Sequence, residues 1–197
     1  MSTLTALLHA LADLTATEPR HEARATALAL QAGADTDFPA QPPSPLDLQI
    51  RNTCALTNAH PVARQIAQAQ AHLPWQASPA ADRQPGDLAA TKAVVTLLAP
   101  EGPILAPDLR FGLFYQSPDI YYPLHAHEAA ETYTILSGTA LWQAGDRRFA
   151  LAPGEAVHHP PNLPHAMRAG PAGFLAIWRW SGDIGFDSYR MLPDPKA

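Results

Sequence analysis

The residues from about Thr91 onward form short runs rich in β-branched and aromatic side chains, and proline or glycine turns separate these runs. Such runs, at roughly ten-residue spacing, predict short antiparallel strands. No helical pattern lies between them, which excludes a parallel sheet built from βαβ units. About eight strands of this kind predict a mainly β fold, a barrel or a two-sheet jelly roll. The predicted strands are residues 93–98, 109–115, 120–127, 132–136, 139–143, 149–151, 156–159 and 174–180.

The N-terminal part of the chain has a different, helical periodicity. Leucines recur at spacings of three and four between Leu4 and Leu14, which gives one apolar stripe along a helix. A second helix is predicted over residues 19–32, and two more after the proline-rich connector at residues 37–45. We expect these helices to cover an open end or an edge of the barrel. The predicted division is a helical region over residues 1–80 and a barrel over residues 90–190.

Length and charge restrict the classes of partner. The chain has 197 residues, enough for one core with a small appendage. Its 13 basic and 18 acidic residues give a formal net charge of −5, so a surface for nucleic acid is not indicated. There is no signal-peptide pattern and no apolar run near the roughly 20 residues that span a bilayer. We therefore expect a cytoplasmic protein without nucleic-acid or membrane partners, in which Cys54 is a buried apolar residue.

Five of the nine histidines lie in one stretch of the β half, from His125 to His165. His125 and His127 are two apart, so a strand directs both side chains to one face, and Glu131 follows where the chain can turn back. Imidazoles with a carboxylate suit a divalent transition metal, and His165 from a later strand completes a four-ligand set. The alternative is that these histidines lie on a polar sheet surface.

The spacing of these residues resembles the metal-binding motifs of the cupin superfamily. His125-Ala-His127, three residues, Glu131, six residues and Gly138 match the first cupin motif. The second motif is represented by Pro153-Gly154 and by His165, although its proline and glycine are adjacent here. The leading glycine of the first motif is absent, because Asp119 stands there. The resemblance implies a cupin jelly roll, and since His158 and His159 match no cupin position we expect both at an exposed strand end or turn.

The neighbouring aromatic residues narrow the resemblance to one cupin family. Tyr121 and Tyr122 precede the histidine pair, Tyr133 follows Glu131 by two positions, and Trp178 lies on a late strand. This combination resembles the cupin-type dimethylsulfoniopropionate (DMSP) lyases, which are dimethylpropiothetin dethiomethylases. The resemblance implies that His125, His127, Glu131 and His165 are metal ligands. It also implies catalytic roles for Tyr133 and Tyr122, and substrate contacts from Tyr121, Tyr122 and Trp178.

The reaction implied is a β-elimination on a small zwitterion that releases dimethyl sulfide and leaves acrylate. A divalent ion (zinc, iron, manganese, cobalt or nickel) binds the carboxylate, and Tyr133 removes the adjacent proton as general base. Aromatic faces recognise the sulfonium by cation–π contact. Trp180 and Phe174 are expected in the core instead. The alternatives are a cupin lyase or a dioxygenase acting on another small carboxylate, and a non-catalytic cupin that binds a small ligand.

Overall fold

The computed structural model describes residues 1–194, and within them the longer helices come before the strands. No helix in this part of the chain has both the length and the apolar character needed to cross a membrane. The helices are α1 (Thr3–Ala16), α2 (His21–Ala32), α3 (Asp47–Cys54), α4 (Pro61–Ala69) and α5 (Gly86–Ala89), with short 3₁₀ turns at Gln70–His72 and Ala81–Arg83.

The strands form a mixed, mostly antiparallel sheet around two long central strands. β8 pairs with β3, β4 and β5, whereas β5 also pairs with β6 and β7, so the sheet closes around an interior. The strands are β1 (Lys92–Ala99), β2 (Ile104–Leu105), β3 (Leu109–Gln116), β4 (Tyr121–Ala126), β5 (Ala129–Ala144), β6 (Arg147–Leu151), β7 (Ala156–His159), β8 (His165–Gly182) and β9 (Arg190–Met191).

The two central strands are longer than the sequence pattern predicts. The predicted strands 132–136 and 139–143 are halves of β5, and the run 174–180 is only the second half of β8. Gly138 is not a turn between two strands but a bend within one, with φ +74° and register shifts on both sides of it. A Cβ at Gly138 would lie 2.0 Å from the carbonyl oxygen of Gly173, so the two strands approach here only because a side chain is absent.

Neighbouring strand residues alternate between two separate hydrophobic clusters. On β3, Leu113 belongs to the cluster that contains the helix leucines, whereas Phe114 belongs to the aromatic interior of the barrel. Leu7, Leu8 and Leu11 of α1 are fully buried in the first cluster, and each such burial stabilises the fold by about 1.5–3 kcal/mol. Because alternate strand residues point to opposite faces, the helices cover an outer face of the sheet. The expectation that they cover an open end or an edge is therefore wrong.

A partly buried ion pair joins the α1–α2 turn to this outer face. Both terminal nitrogens of Arg179 on β8 donate to the Glu18 carboxylate at 2.7 Å, and one of them also donates to Thr132 Oγ1 at 3.1 Å. Arg179 is only 4% exposed. Its neighbours Trp178 and Trp180 point the other way, into the barrel. Strand β8 therefore anchors the helices with one face and supplies the interior with the other.

Candidate metal centre

Four polar residues from three strands and a turn meet at one end of the barrel interior. His125 is near the end of β4, His127 follows that strand, Glu131 is on β5, and His165 begins β8. Each is at most 3% exposed. Glu131 Oε2 lies 3.3 Å from His127 Nε2 and 3.1 Å from His165 Nε2. One ligand atom from each of these three residues lies within 4.8 Å of the other two, and the His125 ring lies 4.1 Å from that of His165.

The backbone determines which nitrogen of each ring faces the centre. The Nδ1 atoms of His125, His127 and His165 lie 2.8 Å, 3.0 Å and 2.9 Å from the carbonyl oxygens of Pro123, Ala129 and Leu163, respectively. A carbonyl oxygen only accepts, so each Nδ1 carries the hydrogen and donates it. The Nε2 atoms of His127 and His165 are thereby turned toward Glu131. This backbone contact is the usual way in which proteins orient a histidine that ligates a metal.

The donor set fits a divalent cation. In the neutral rings, the Nε2 lone pairs of His127 and His165 face a carboxylate oxygen, which is repulsive unless a proton or a cation lies between them. His165 Nε2 is buried and has no hydrogen-bond partner within residues 1–194. Burial opposes ionisation of Glu131, but the nearby histidines, His127 foremost, hold its pKa well below its usual value. The centre therefore combines an ionised carboxylate with two or three nitrogen donors.

His159 also belongs to this cluster, which corrects the expectation of an exposed strand end. It is fully buried, with Nδ1 3.4 Å from Glu131 Oε2, because the pairing of β7 with β5 places it directly opposite Glu131. Its neighbour His158 lies on the other face of β7, half-buried, and contacts the Thr132 hydroxyl at 3.0 Å. Burial and the proximity of His165 lower the pKa of His159 to about 4, so the ring is neutral at pH 7. The one sequence signal for this placement is strand alternation. His159 is two residues after the apolar Val157, so the two side chains share the inward face of β7.

Trp180 contacts the centre as well, although the sequence pattern assigned it to the core. Its indole nitrogen donates to Glu131 Oε1 at 2.6 Å, and its ring lies 4.3 Å from that of His127. Trp180 is 5% exposed and lines the cavity, so it serves both as core and as wall. Phe174 is fully buried and is not part of the wall, as expected.

The cavity beside the centre is narrow and mainly aromatic. About 430 Å³ of space in and at the mouth of this cavity is free of protein atoms, and part of that space is open to solvent. His125, His127 and Glu131 form its polar side. Its aromatic lining residues are Phe114, Tyr122, Tyr133, Trp178, Trp180, Phe186 and Tyr189. Such a wall suits a small ligand that is polar at one end and apolar or cationic at the other.

Comparison with known proteins decides the family. A sequence profile of the dimethylsulfoniopropionate lyase family matches residues 10–176, most of the chain. The chain belongs to the DMSP lyase family. It is 32% identical over 139 residues to dimethylsulfoniopropionate lyase DddQ of Ruegeria pomeroyi. That match covers 70% of this chain and 66% of the relative, just under two thirds of its length.

Solved structures of DMSP lyases have the same fold. The crystal structure of DddQ from Ruegeria pomeroyi is 26% identical, with a TM-score of 0.66 and 92% of each chain covered. A chain from the crystal structures of the DMSP lyases RdDddP and RnDddQII is 28% identical, with a TM-score of 0.73, and the match covers 97% of this chain and 98% of that one. The mainly β cupin fold with N-terminal helices, expected from the sequence, is therefore confirmed.

The position of Tyr122 in this DMSP lyase family member depends on a bulge in β4. Regular alternation would put Tyr122 and His125 on opposite faces, but the register against β8 shifts between them and their rings stack at 4.1 Å. The Lys92 ammonium lies 3.4 Å from the centroid of the same Tyr122 ring. An ammonium so close leaves no room for an imidazole on its side, so Lys92 and His125 cover opposite faces. Tyr122 lines the cavity but has no free face to offer a ligand.

A directional hydrogen-bond chain runs behind Tyr122. Lys92 Nζ donates to Gln84 Oε1 at 2.7 Å, and Gln84 Nε2 donates to the hydroxyls of Tyr122 at 2.8 Å and Tyr189 at 3.2 Å. The two hydroxyls are 2.7 Å apart, and that of Tyr189 donates to Met191 Sδ. The sequence pattern singled out neither Tyr189, which lines the cavity, nor Gln84, which holds the two tyrosine hydroxyls.

Tyr133 and Trp178 line the cavity, whereas Tyr121 does not. Tyr133 is buried, with its ring edge-on to Phe114 at 5.5 Å. Burial, and then the Glu131 carboxylate, raise the pKa of Tyr133 well above its usual value. The Tyr121 hydroxyl donates to Asp194 Oδ2 at 2.7 Å, on the outside of the barrel, and Tyr121 is absent from the cavity lining. The expected substrate contact of Tyr121 is therefore not part of the site, because its neighbour Tyr122 is the one that points inward.

Proposed function

We propose that the protein is a metal-dependent lyase that cleaves dimethylsulfoniopropionate to dimethyl sulfide and acrylate. The observation that carries the proposal is the buried convergence of His127, Glu131 and His165 beside a tyrosine in an aromatic cavity. A chain of the DMSP lyase family with this arrangement holds both charge-stabilising and proton-accepting groups next to a space for a small zwitterion.

The proposed metal ligands are His127, Glu131 and His165, with His125 as the fourth. The His125 ring lies beside that of His165, and its Nδ1 is engaged by the Pro123 carbonyl in the same way as the other rings are engaged by theirs. A bound divalent transition ion supplies Lewis acidity for the substrate carboxylate. Zinc, iron, manganese, cobalt and nickel all suit nitrogen and carboxylate donors.

Tyr133 is the proposed general base. Without a cation nearby, burial and Glu131 keep its phenol protonated. A positive charge in the centre acts in the opposite direction and favours the phenolate. The phenolate oxygen takes the proton from the carbon next to the carboxylate, and the electron pair of that C–H bond becomes the new C=C bond. The C–S bond breaks as this C=C bond forms, its electrons leave on neutral dimethyl sulfide, and the proton stays on the Tyr133 oxygen.

The sulfonium end of the substrate binds in the part of the cavity that Trp178 and Trp180 line. A sulfonium carries no hydrogen to donate, so aromatic faces are the available recognition element, at about 0.5–2 kcal/mol for each contact. Both faces of Tyr122 are occupied, one by the Lys92 side chain and the other by His125, so neither face is free for a second cation. Trp178 and Trp180 lie edge-to-face at 6.0 Å and line the same cavity. We therefore assign the sulfonium to Trp178 and a hydroxyl contact to Tyr122.

A headspace assay tests the function. Purified protein is loaded separately with each of the candidate metal ions and supplied with dimethylsulfoniopropionate, and dimethyl sulfide is measured in the gas phase with acrylate in solution. We expect equal amounts of the two products from the unmodified protein and background levels from His165→Ala. A folded, metal-loaded protein that releases neither product contradicts the proposal.

A further inference from the structure

His159 differs from the other buried histidines in what holds its ring. The Trp142 indole nitrogen lies 2.9 Å from His159 Nε2. An indole N–H only donates, so His159 Nε2 must be the acceptor and its lone pair is already used. The rings of Trp142 and His159 are nearly parallel, at an interplanar angle of 17°, and both side chains are buried.

The remaining nitrogen of His159 is directed at the carboxylate of the metal centre. With Nε2 as the acceptor, the hydrogen of the neutral ring is on Nδ1, which lies 3.4 Å from Glu131 Oε2. In addition, His159 stacks on His165, with ring centroids 4.0 Å apart and planes at 10°. His159 thus donates a hydrogen bond to Glu131 and stacks on His165, but it has no free nitrogen lone pair with which to bind a metal ion.

The strand register places Glu131 between two donors. On one side β7 puts His159 directly opposite Glu131, and on the other side β8 puts Trp180 directly opposite it. Trp180 donates to Oε1 at 2.6 Å, and His159 faces Oε2. The plane of the carboxylate is therefore held at both oxygens by two rigid rings.

We propose that His159, whose tautomer Trp142 determines, is a positioning residue that orients Glu131 toward the metal and is not itself a ligand. This inference rests on the metal site of the proposed function, but not on the substrate. Groups that orient a metal ligand by hydrogen bonding contribute about 10–100-fold to metal affinity.

Nuclear magnetic resonance tests the ligand assignment on the unmodified protein. The chain is labelled with a spin-active nitrogen isotope in histidine and loaded with a spin-active cadmium isotope as the probe. We expect cadmium–nitrogen coupling to Nε2 of His125, His127 and His165 and none to His159, whose hydrogen stays on Nδ1. Coupling to either nitrogen of His159, or a hydrogen on its Nε2, overturns the proposal.

Variants test the positioning role through zinc affinity, measured by competition with a chelator. His159→Phe keeps the ring but removes the donor, and we expect zinc to bind about 10–100-fold more weakly. His159→Asn places an amide N–H near the position of Nδ1, and we expect it to recover most of that loss. His158→Phe alters the adjacent histidine on the other face of β7 and is expected to leave zinc affinity unchanged. Equal affinity of His159→Phe and the unmodified protein refutes the role.

Trp142→Phe provides a second measurement should His159→Phe fail to fold. This variant keeps an aromatic ring in the interior but removes the indole N–H together with part of the ring system. We expect its spectrum to show hydrogen on Nε2 of His159 in part of the molecules, with weaker zinc binding. An unchanged tautomer in Trp142→Phe contradicts the assignment to Trp142. None of these measurements uses dimethylsulfoniopropionate, so they are independent of whether the lyase assay succeeds.

Discussion

At the scale of single residues, the centre depends on which atom of each ring carries hydrogen. Backbone carbonyls turn the Nε2 atoms of His127 and His165 toward Glu131, whereas Trp142 turns the same atom of His159 away from it. Similar side chains thus take different roles because their hydrogen-bond partners differ. The two tyrosines also differ in their surroundings. Tyr133 lies next to the Glu131 carboxylate, whereas the Tyr122 ring lies between the His125 ring and the Lys92 nitrogen.

Tyr133→Phe separates proton transfer from metal binding. The change removes one oxygen and leaves the ring to pack against Phe114 and Trp142. We expect stoichiometric metal to remain and turnover to fall by about 10²–10⁴-fold, the usual contribution of a general base. Metal analysis and the headspace assay on the same preparation measure both quantities, with His165→Ala as the variant that loses both. Near-normal turnover would remove Tyr133 from the role of base.

Lys92 makes the stability of the protein depend on pH. Burial lowers its pKa from 10.5 to about 7 in the folded protein, so between these values the unfolded chain binds more protons than the folded one. The free energy of unfolding contributed by Lys92 therefore rises with pH across this window, by at most about 1.4 kcal/mol per pH unit. Lys92→Met abolishes this contribution.

Urea unfolding at pH 7 and at about pH 9 measures how much the free energy of unfolding changes with pH in each protein. We expect the unmodified protein to gain more stability between the two values than Lys92→Met does. The comparison of slopes is unaffected by the loss of the hydrogen bond to Gln84, since that loss is present at both pH values. If the free energy of unfolding changes equally with pH in both proteins, the Lys92 ammonium is not desolvated.

At the scale of elements, the site is a product of strand register. Three neighbouring strands place His159, Glu131 and Trp180 side by side, and the β4 bulge brings Tyr122 onto the same side as His125. A shift of one residue in any of these pairings would turn the inward side chains outward. The bends that preserve the register are therefore as important to the centre as the ligands themselves.

Gly138→Ala tests the bend of β5. A methyl group there must tolerate both a φ of +74° and a carbonyl oxygen 2.0 Å away, so we expect a loss of stability of about 2 kcal/mol or more. Gly154→Ala is the matched control, because Gly154 has a φ of +89° but no neighbouring atom within 4 Å. We expect this control to lose only about 1 kcal/mol. Equal losses of stability in the two variants, measured by thermal unfolding, would show that the close contact with Gly173 adds nothing to the cost of a side chain at Gly138.

At the scale of the whole molecule, the barrel supports two packed layers with different roles. The outer face of the sheet packs against α1 to α4 mainly through aliphatic side chains, and the inner face holds the residues of the candidate centre and most of the aromatic side chains around it. The helices contribute no side chain to the cavity lining within the described part of the chain. Their role in the site is indirect, because they bury the outer face of the strands that carry the ligands.

Glu18→Ala tests how firmly the helices are anchored. It removes the carboxylate that pairs with Arg179 and leaves a buried guanidinium with only the Thr132 hydroxyl, and we expect a loss of about 3 kcal/mol. Glu22→Ala alters a nearby acidic residue that pairs with the exposed His21, and we expect a loss of about 0.5 kcal/mol or less. Thermal unfolding compares the two variants. A similar shift in both would show that the pair does not hold the layers together.

Local patterns in the sequence were sufficient for the element types and for the centre's main residues. Leucine spacing predicts α1 because it creates one apolar face, and the alternation of His125 and His127 places them together because a strand repeats every two residues. The spacing to Glu131, Tyr133 and His165 identified the family. These features depend on neighbours in the chain, so they can be read without coordinates.

Contacts between distant residues were decided only by the tertiary structure. The sequence carries no signal that β7 pairs with β5 in the register that sets His159 beside Glu131, or that Trp180 donates to the same carboxylate. The covering of Tyr122 by Lys92, thirty positions earlier in the chain, likewise depends on how two strands meet. Register and bulges set which side chains share a face, and they result from the packing of the whole sheet, not from any single segment.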